Sequence, residues 1–232
     1  SEINKNLGFK IKIIGVAAKN PKKKRAIKIN KSLFYKNPID LVKNNKVNIL
    51  FELIGLSDGI SRKVVEIALK NKKHVITANK ALISKHGEYL SKLAEKNNVN
   101  LEFEASVGGG IPVLRTLKDG LATNKISKVV GILNGTSNYI LTEMEKTKCS
   151  FKEVLLKSQK LGLAEANPKF DLDGSDVLSK VKILSSLAFK KQISLKKCLK
   201  DGIENIDLKD IEMARNLNLR IKLLGITEII NN

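Results

Sequence analysis

The sequence predicts an α/β protein in which a parallel, helix-covered sheet is followed by an α+β domain. In the first half, short apolar runs alternate with amphipathic runs at the spacing of strand, helix and strand. In the second half, helical patterns dominate and two segments have strand character. A chain of 232 residues is long enough for one large domain or two small ones with a buried core.

The elements of the first half follow from these periodicities. The apolar runs predict strands over residues 9–18, 48–54, 74–78 and 100–104. The amphipathic runs predict helices over residues 39–44, 59–70 and 81–97, and residues 1–7 resemble the tail of another helix. The sequence contains no G-x-G-x-x-G. The pattern is therefore that of a partial Rossmann-like domain whose first strand, glycine loop and most of the first helix are missing.

The second half begins with a strand predicted over residues 126–133, a polar loop at 134–138 and a helix to about residue 145. Ser150 and Glu153 have the spacing of a capping box, which predicts a further helix. Helices are also expected over residues 175–189 and 211–216, and a strand over 219–230. We place the domain boundary at residue 112, so that residues 1–112 and 113–232 form the two domains.

The net charge of +20 does not by itself indicate a nucleic-acid-binding protein. Lysine supplies most of it, the charge is spread along the chain, and aromatic residues make up 4%. No apolar stretch is long enough to span a membrane, so we expect neither a nucleic acid nor a membrane as a partner. A basic nucleic-acid-binding protein remains a competing interpretation, which would show salt-sensitive binding.

Cys149 and Cys198 lie far apart without CxxC spacing, which fits a reducing cytoplasm. His74 and His86 are too few for a metal cluster or a catalytic triad. Because His74 falls in an apolar strand pattern, we expect it to be a packed core histidine.

Polar and glycine residues follow three of the predicted strands, namely Gly55, Asn79 with Lys80, and the run 106–110. In open parallel sheets, ligands bind outside the carboxyl ends of the strands. The sequence therefore predicts that these loops line one crevice.

Residues 164–180 carry four carboxylates and one lysine in a loop that leads into a helix (Glu165, Asp171, Asp173, Asp176 and Lys180). Asp176 and Lys180 share one face of that helix. An acidic loop beside a lysine suits a small substrate with an ammonium group and a reducible carbonyl. A capped helix with a solvated salt bridge would give the same pattern.

Five segments resemble the homoserine dehydrogenase family, in the same order and over nearly the whole chain. They are FELIG at 51–55, KHVITANKA at 73–81, FEASVGGGIP at 103–112, GILNGTSNYIL at 131–141, and residues 164–180. The resemblance implies an NAD(P)-dependent oxidoreductase that interconverts L-homoserine and L-aspartate 4-semialdehyde in the biosynthesis of threonine, methionine and isoleucine. It implies a partial NAD(P)-binding domain at 1–112 and a substrate domain at 113–232 that is incomplete at its C-terminus.

By this resemblance, Lys180 lies at the reacting oxygen of the substrate, where its ammonium donates a proton or a charge-assisted hydrogen bond. Asp176 holds the substrate and that lysine, while Glu165 and Asp171 are acids near the substrate ammonium. Lys80 is a second lysine at the junction of substrate and cofactor.

Gly55, Asn79 and Lys80 follow strands of the parallel sheet, where ligands bind, and are therefore expected to contact the cofactor; for Lys80 the resemblance implies the same. The predicted first strand ends without an acidic residue and is followed by Lys19, which favours NADP over NAD. A monovalent cation, sodium, is expected at Glu104, Val107, Gly109 and Ile111. The family resemblance further implies a homodimer through the second domain.

The sequence is also compatible with a catalytically incompetent fragment, or with a different dinucleotide-dependent enzyme such as an aspartate semialdehyde dehydrogenase. The chemistry of an aspartate semialdehyde dehydrogenase needs a cysteine nucleophile in a glycine-flanked loop. Cys149 and Cys198 instead lie in lysine-rich segments.

Overall fold

The computed structural model describes residues 2–191, 193–194 and 198–230. It divides into two compact units, the first ending at Phe103 and the second beginning at Glu104. This division falls shortly before the boundary predicted at residue 112. The roles assigned to the two domains stay predictions.

The first unit confirms the predicted α/β class with a parallel sheet. Its helices are α1 (Glu2–Leu7), α2 (Pro38–Lys43), α3 (Ile60–Lys70) and α4 (Lys80–Lys96). Its strands are β1 (Val16–Ala17), β2 (Phe34–Tyr35), β3 (Ile49–Glu52), β4 (His74–Thr77) and β5 (Leu101–Glu102), with a 3-10 turn at Lys31–Leu33. Strands β3, β4 and β5 form a parallel sheet in that order, and β1 pairs in parallel with β2.

Alternation along β3 and β4 separates a buried face from an exposed one. Leu50 and Val75 are buried, and α3 packs on this sheet with its own apolar stripe. At its start, α4 is capped by Asn79, whose side-chain oxygen accepts a hydrogen bond from the Leu82 amide at 3.0 Å. The carboxyl end of β4 therefore leads directly into a fixed helix N-terminus.

The predicted strand over residues 9–18 is wrong for most of its length, since only Val16 and Ala17 form a strand. Phe9, Ile11 and Ile13 have the alternation of a strand, but their side chains are largely exposed. Alternation of apolar and polar residues indicates only that the backbone favours an extended conformation. A strand also needs a neighbour to bond its N–H and C=O groups, and β1 finds one only where it meets β2.

His74 is also different from the prediction, because it is exposed and not a core residue. In the register of the sheet it lies opposite Ile49, on the exposed face of β3 and β4. Its Nδ1 accepts a hydrogen bond from the Asn100 amide at 3.1 Å. An apolar strand pattern does not show which face a given residue occupies.

The second unit is mostly helical. Its helices are α5 (Val113–Arg115), α6 (Gly135–Thr147), α7 (Phe151–Lys160), α8 (Lys169–Leu172), α9 (Ser175–Phe189) and α10 (Leu208–Asn216). Strands β6 (Lys128–Gly131) and β7 (Gly225–Glu228) pair antiparallel, and short turns cover Glu104–Ser106 and Thr116–Gly120. The capping box of α7 is confirmed. A second capping box, from Asp207 to Asp210, explains why α10 begins before residue 211.

The packing around Gly225 and a core cluster fix the positions of α6 and α9. A Cβ atom on Gly225 would lie 2.6 Å from Leu133 and 2.7 Å from Val181, so β7 packs directly on α9 and on the loop that follows β6. Ile140 and Met144 of α6 are fully buried in one core cluster with Leu172. These contacts hold the start of α6 near the start of α9. No helix in the described part of the chain is long and apolar enough to cross a membrane.

Candidate active site

The first turns of α9 hold a buried ion pair. The Lys180 Nζ lies 2.6 Å from Asp176 Oδ2, and the two side chains are 15% and 1% exposed. Lys180 Nζ also donates to the backbone carbonyl of Leu133 at 2.5 Å. The pair is therefore not a solvated surface salt bridge. A buried pair needs further hydrogen bonds to offset its loss of hydration, and Leu133 supplies one.

Asn134 joins this pair to a second carboxylate. Its side-chain amide nitrogen donates to Asp171 Oδ1 and to Asp176 Oδ2, each at 2.8 Å. Its side-chain oxygen accepts from the Ser137 amide at 2.8 Å, which caps α6. Asn134 is itself buried. One side chain thus fixes three elements, namely the start of α6, α8 and the start of α9.

The charges of this cluster suit one kind of ligand. Asp171 and Asp176 bring two negative charges, and Lys180 brings one positive charge, so an additional cationic group is favoured. The described contacts use two of the three N–H groups of the Lys180 ammonium. The remaining one suits an oxygen atom of a ligand. The cluster is therefore able to bind a small molecule that carries both an ammonium group and an oxygen.

A second polar network lies in the first unit, at the carboxyl ends of β3 and β4. Glu52 is 2% exposed and accepts hydrogen bonds from four donors. They are the Ile54 amide at 2.8 Å, Ser61 Oγ at 2.7 Å, Thr77 Oγ1 at 2.6 Å and Asn79 Nδ2 at 3.4 Å. The Asn79 amide nitrogen also donates to the Leu56 carbonyl at 2.8 Å. The loops after β3 and β4 are therefore fastened to each other.

Comparison with known proteins decides the family. A family model described as homoserine dehydrogenase matches residues 112–231, and one described as the homoserine dehydrogenase NAD binding domain matches residues 2–104. The chain belongs to the homoserine dehydrogenase family. These matches give no support to a different dehydrogenase or to a nucleic-acid-binding protein.

Individual homoserine dehydrogenases agree with this. The chain is 43% identical over 226 residues to the enzyme of Neisseria gonorrhoeae, covering 97% of this chain and 52% of that one. For Bacillus subtilis, the identity is 39% over 222 residues, covering 96% and 51%. A solved structure from Staphylococcus aureus at pH 6.0 has a TM-score of 0.84 at 39% identity, covering 99% of this chain and 57% of that one. The chain spans about half the length of the curated relatives it matches.

The structure brings together three of the site residues predicted in the second unit of this chain. Asp171, Asp176 and Lys180 share one network through Asn134. Glu165 is exposed, and among the residues that the structure describes it is not part of that network. Its backbone carbonyl accepts a hydrogen bond from Gln159 Nε2 at 3.1 Å, which fixes the backbone at this position.

In the first unit, Asn79 belongs to the Glu52 network and Lys80 follows it in the chain. Lys80 is the first residue of α4 and is half-buried. Gly55 has a φ of 90°, and a Cβ there would meet no atom within 4 Å, so a ligand can approach the backbone closely. Lys19 is exposed in the loop after β1. The third loop of the predicted crevice, residues 106–110, belongs to the second unit.

The residues predicted to hold a cation lie in a short segment with two consecutive turns. The Val107 amide donates to the Glu104 carbonyl at 3.3 Å, and the Ile111 amide donates to the Gly108 carbonyl at 3.1 Å. The Glu104 carboxylate accepts from the Leu114 and Arg115 amides at 3.0 and 2.8 Å. Val107 is buried, Gly109 has a φ of 59°, and Ile111 is exposed. In the part of the chain that the structure describes, no group of three His, Cys, Asp or Glu side chains is placed to hold a metal ion. Any cation here would depend on backbone carbonyls.

Sequence reasoning missed Asn134 and Glu52 as individual residues. For Asn134 there was a signal, because an N-cap asparagine uses only its oxygen on the helix and leaves its amide nitrogen to donate elsewhere. For Glu52 the signal was an acidic residue in a strand that is otherwise apolar. Such a residue must find several donors when it is buried.

The pKa of Asp173 predicts how the stability of the second unit depends on pH. Burial raises the pKa of Asp173, but hydrogen bonds from the Ser175 amide, the Lys200 ammonium and the Ser175 hydroxyl lower it to about 2, from an ordinary value of 3.8. The stabilisation that these hydrogen bonds give to the folded state is fully present above pH 3.8. It is lost as the pH falls towards about 2, because Asp173 is then protonated.

We therefore expect the urea midpoint of unfolding to fall through this pH range, and to fall less steeply for Asp173→Asn. Asp119→Asn, at an exposed position, is the control and keeps the wild-type slope. Equal slopes for Asp173→Asn and the wild type would contradict the assignment.

Proposed function

We propose that the whole protein interconverts L-homoserine and L-aspartate 4-semialdehyde, and that this chain carries its substrate site. The observation that carries the proposal is the buried cluster of Asn134, Asp171, Asp176 and Lys180. L-Homoserine offers an ammonium group for the carboxylates and a hydroxyl oxygen for the lysine.

Lys180 donates a proton to the reacting oxygen of the substrate or accepts one from it, depending on the direction of the reaction. When the aldehyde is reduced, its oxygen gains negative charge, and the Lys180 ammonium stabilises it and donates the proton. In the other direction, the same amine accepts the hydroxyl proton. Asp176 holds the Lys180 ammonium in place through the ion pair. The nicotinamide, when bound, supplies or accepts the hydride.

Asp171 is proposed to bind the substrate ammonium, with Glu165 as a second acid at the more exposed side. Asn134 donates to one oxygen of Asp171. The second oxygen of that carboxylate suits a charge-assisted bond to the substrate, which is stronger than a neutral hydrogen bond. Because Asn134 also bonds Asp176, the ammonium site and the proton-transfer site are held in one arrangement.

The match to an NAD binding domain supports a nicotinamide dinucleotide as the cofactor. An archaeal homoserine dehydrogenase, 26% identical with a TM-score of 0.72, was solved in complex with NADPH. In this chain, we propose that Gly55, Asn79 and Lys80 contact the cofactor. The open backbone at Gly55 and the fixed position of Asn79 fit a group that lies across the carboxyl ends of the strands.

The loop after β1 supports a preference for NADP. Arg25 donates to the backbone carbonyls of Asn20, Pro21 and Lys23 and lies 5.4 Å from the Phe34 ring, which fixes the loop that follows Lys19. We expect Lys19→Glu to lower kcat/KM for NADP relative to NAD by about tenfold or more, since a charge-assisted hydrogen bond contributes about 1.5–3 kcal/mol.

Steady-state kinetics with both cofactors measures this preference in the whole protein. The matched control is Lys63→Glu, at an exposed position of α3, which changes the net charge equally. An unchanged NADP to NAD ratio in Lys19→Glu would remove Lys19 from the cofactor site.

We further propose a sodium ion on the segment that holds Glu104, Val107, Gly109 and Ile111. Gly108 and Gly109 both have positive φ, a conformation that glycine adopts readily and that lets the backbone turn tightly here. Activity that is the same in sodium and in tetramethylammonium salts would argue against it.

A homodimer through the second unit is supported by the outer face of its sheet. Val130 and Ile226 lie opposite each other on β6 and β7, and each is 50% exposed. Ile132 and Leu224 extend this apolar face, which is typical of a subunit interface. A monomer by analytical ultracentrifugation would contradict the dimer.

Cys149 and Cys198 are free thiols, which is consistent with our proposal of a cytoplasmic protein.

Homoserine-dependent reduction of NADP by the whole protein tests the proposed activity. We expect reduced cofactor to accumulate with L-homoserine and not with L-threonine, whose hydroxyl is on a different carbon. Cofactor and homoserine binding without any reduction would instead support a catalytically incompetent protein.

A further inference from the structure

The segment Lys200–Ile203, here called the crossing segment, lies across the turn that joins α8 to α9. The Ile203 amide donates to the Leu172 carbonyl at 2.9 Å. The Ile203 side chain is 2% exposed and belongs to the same core cluster as Leu172. The crossing segment is therefore anchored in the core at one end.

Two glycines allow the two backbones to touch. A Cβ on Gly202 would lie 2.5 Å from the Leu172 carbonyl oxygen and 2.9 Å from the Asp173 Cα. A Cβ on Gly174, whose φ is 81°, would collide with the Asp201 carbonyl oxygen. Each backbone leaves the other no room for a side chain, so the contact depends on glycine at both positions.

Lys200 fixes the same turn from outside. Its Nζ donates to Asp173 Oδ2 and to Ser175 Oγ, each at 3.0 Å. The crossing segment therefore contacts Leu172, Asp173, Gly174 and Ser175. These are all of the residues that separate Asp171 from Asp176 in the chain.

We propose that the crossing segment sets the spacing of the Asp171 and Asp176 carboxylates, with Gly202 and Lys200 as positioning residues for substrate binding. Asn134 can donate to both carboxylates at 2.8 Å only while the turn between them keeps its shape. This inference rests on the proposed function, in which those carboxylates hold the substrate ammonium and the catalytic lysine.

Gly202→Ala tests the inference in the whole protein. The added methyl group must push Leu172 and Asp173 away, and a shift of about 1 Å in a positioned group costs on the order of 100-fold in some enzymes. We expect the Kd for L-homoserine, by isothermal titration calorimetry, to rise by about tenfold or more. The Kd for NADP should stay unchanged. Gly120→Ala is the control, because a Cβ there would meet nothing closer than 3.9 Å.

Nuclear magnetic resonance of the Asn134 side-chain amide gives a readout that does not depend on substrate. We expect its signals to move in Gly202→Ala and to stay in place in Gly120→Ala. If the wild type fails to bind homoserine, the proposed function fails, and the amide signals still decide whether the crossing segment sets this geometry. Wild-type affinity and wild-type amide signals in Gly202→Ala would overturn the inference.

Lys200→Met tests the same point without adding volume to the contact. Loss of its two hydrogen bonds is expected to move the Asn134 amide signals and weaken homoserine binding less than Gly202→Ala does. Lys200→Arg, which keeps a donor and the charge, should restore part of the affinity. If Gly202→Ala does not fold, unchanged affinity and unchanged amide signals in Lys200→Met would overturn the inference.

Discussion

Replacing Lys180 by alanine is expected to lower kcat of the whole protein by a factor of about 10³ or more, which combines lost proton transfer with lost charge stabilisation. The Lys180 Nζ is held between Asp176 and the Leu133 carbonyl, so no neighbouring side chain is placed to replace it in the described site. Circular dichroism should show the same secondary structure as the wild type. The measurement is steady-state kinetics with L-homoserine and NADP.

One further variant, with a control, separates the roles of charge and proton transfer. Lys180→Arg keeps the charge but does not release a proton near neutral pH, so we expect it to bind homoserine and to turn over slowly. Lys182→Ala, on the same helix, is the control and should be close to wild type. Wild-type turnover by Lys180→Ala would refute the assignment of this lysine.

The second large effect is expected at Glu52. Glu52→Ala removes the acceptor of four hydrogen bonds from the first unit. A buried donor that loses its partner costs about 1–3 kcal/mol, and some of these donors find other acceptors, so we expect a loss of about 3 kcal/mol in the free energy of unfolding. Urea denaturation followed by circular dichroism measures it.

A matched variant keeps the Glu52 prediction specific. Glu95→Ala removes an exposed glutamate from α4 in the same unit and is expected to change the free energy of unfolding by less than about 0.5 kcal/mol. The cofactor should also bind Glu52→Ala more weakly, since Asn79 loses one of its fixed partners. Equal stability of Glu52→Ala and Glu95→Ala would show that the network is not a stabilising one.

The long periodic elements could be predicted from the sequence. Helices α3, α4 and α9 and strands β3 and β4 lie within two residues of their predicted bounds, because their apolar stripes or alternation are continuous. The strand over residues 9–18 could not be judged in this way. Its alternation is equally clear, but whether a strand forms depends on a neighbouring backbone, which local sequence does not report.

In the candidate site, contacts between residues close in sequence could be predicted, whereas contacts between residues distant in sequence could not. Asp176 and Lys180 are one helical turn apart, and their contact follows from helix geometry. Asn134 reaches Asp171 and Asp176 across 37 and 42 residues of sequence. The contact between Gly202 and the α8–α9 turn is likewise a matter of packing, and a lone glycine in a lysine-rich segment gave no sign of it.

The central claim is that the acidic cluster recognises the ammonium group of L-homoserine. Isothermal titration calorimetry with L-homoserine and with 4-hydroxybutyrate, which lacks that group, tests it most directly. We expect L-homoserine to bind at least about tenfold more tightly, consistent with a charge-assisted hydrogen bond, and we expect Asp171→Asn to remove most of the difference. Equal binding of the two compounds, or a difference that survives in Asp171→Asn, would contradict the claim.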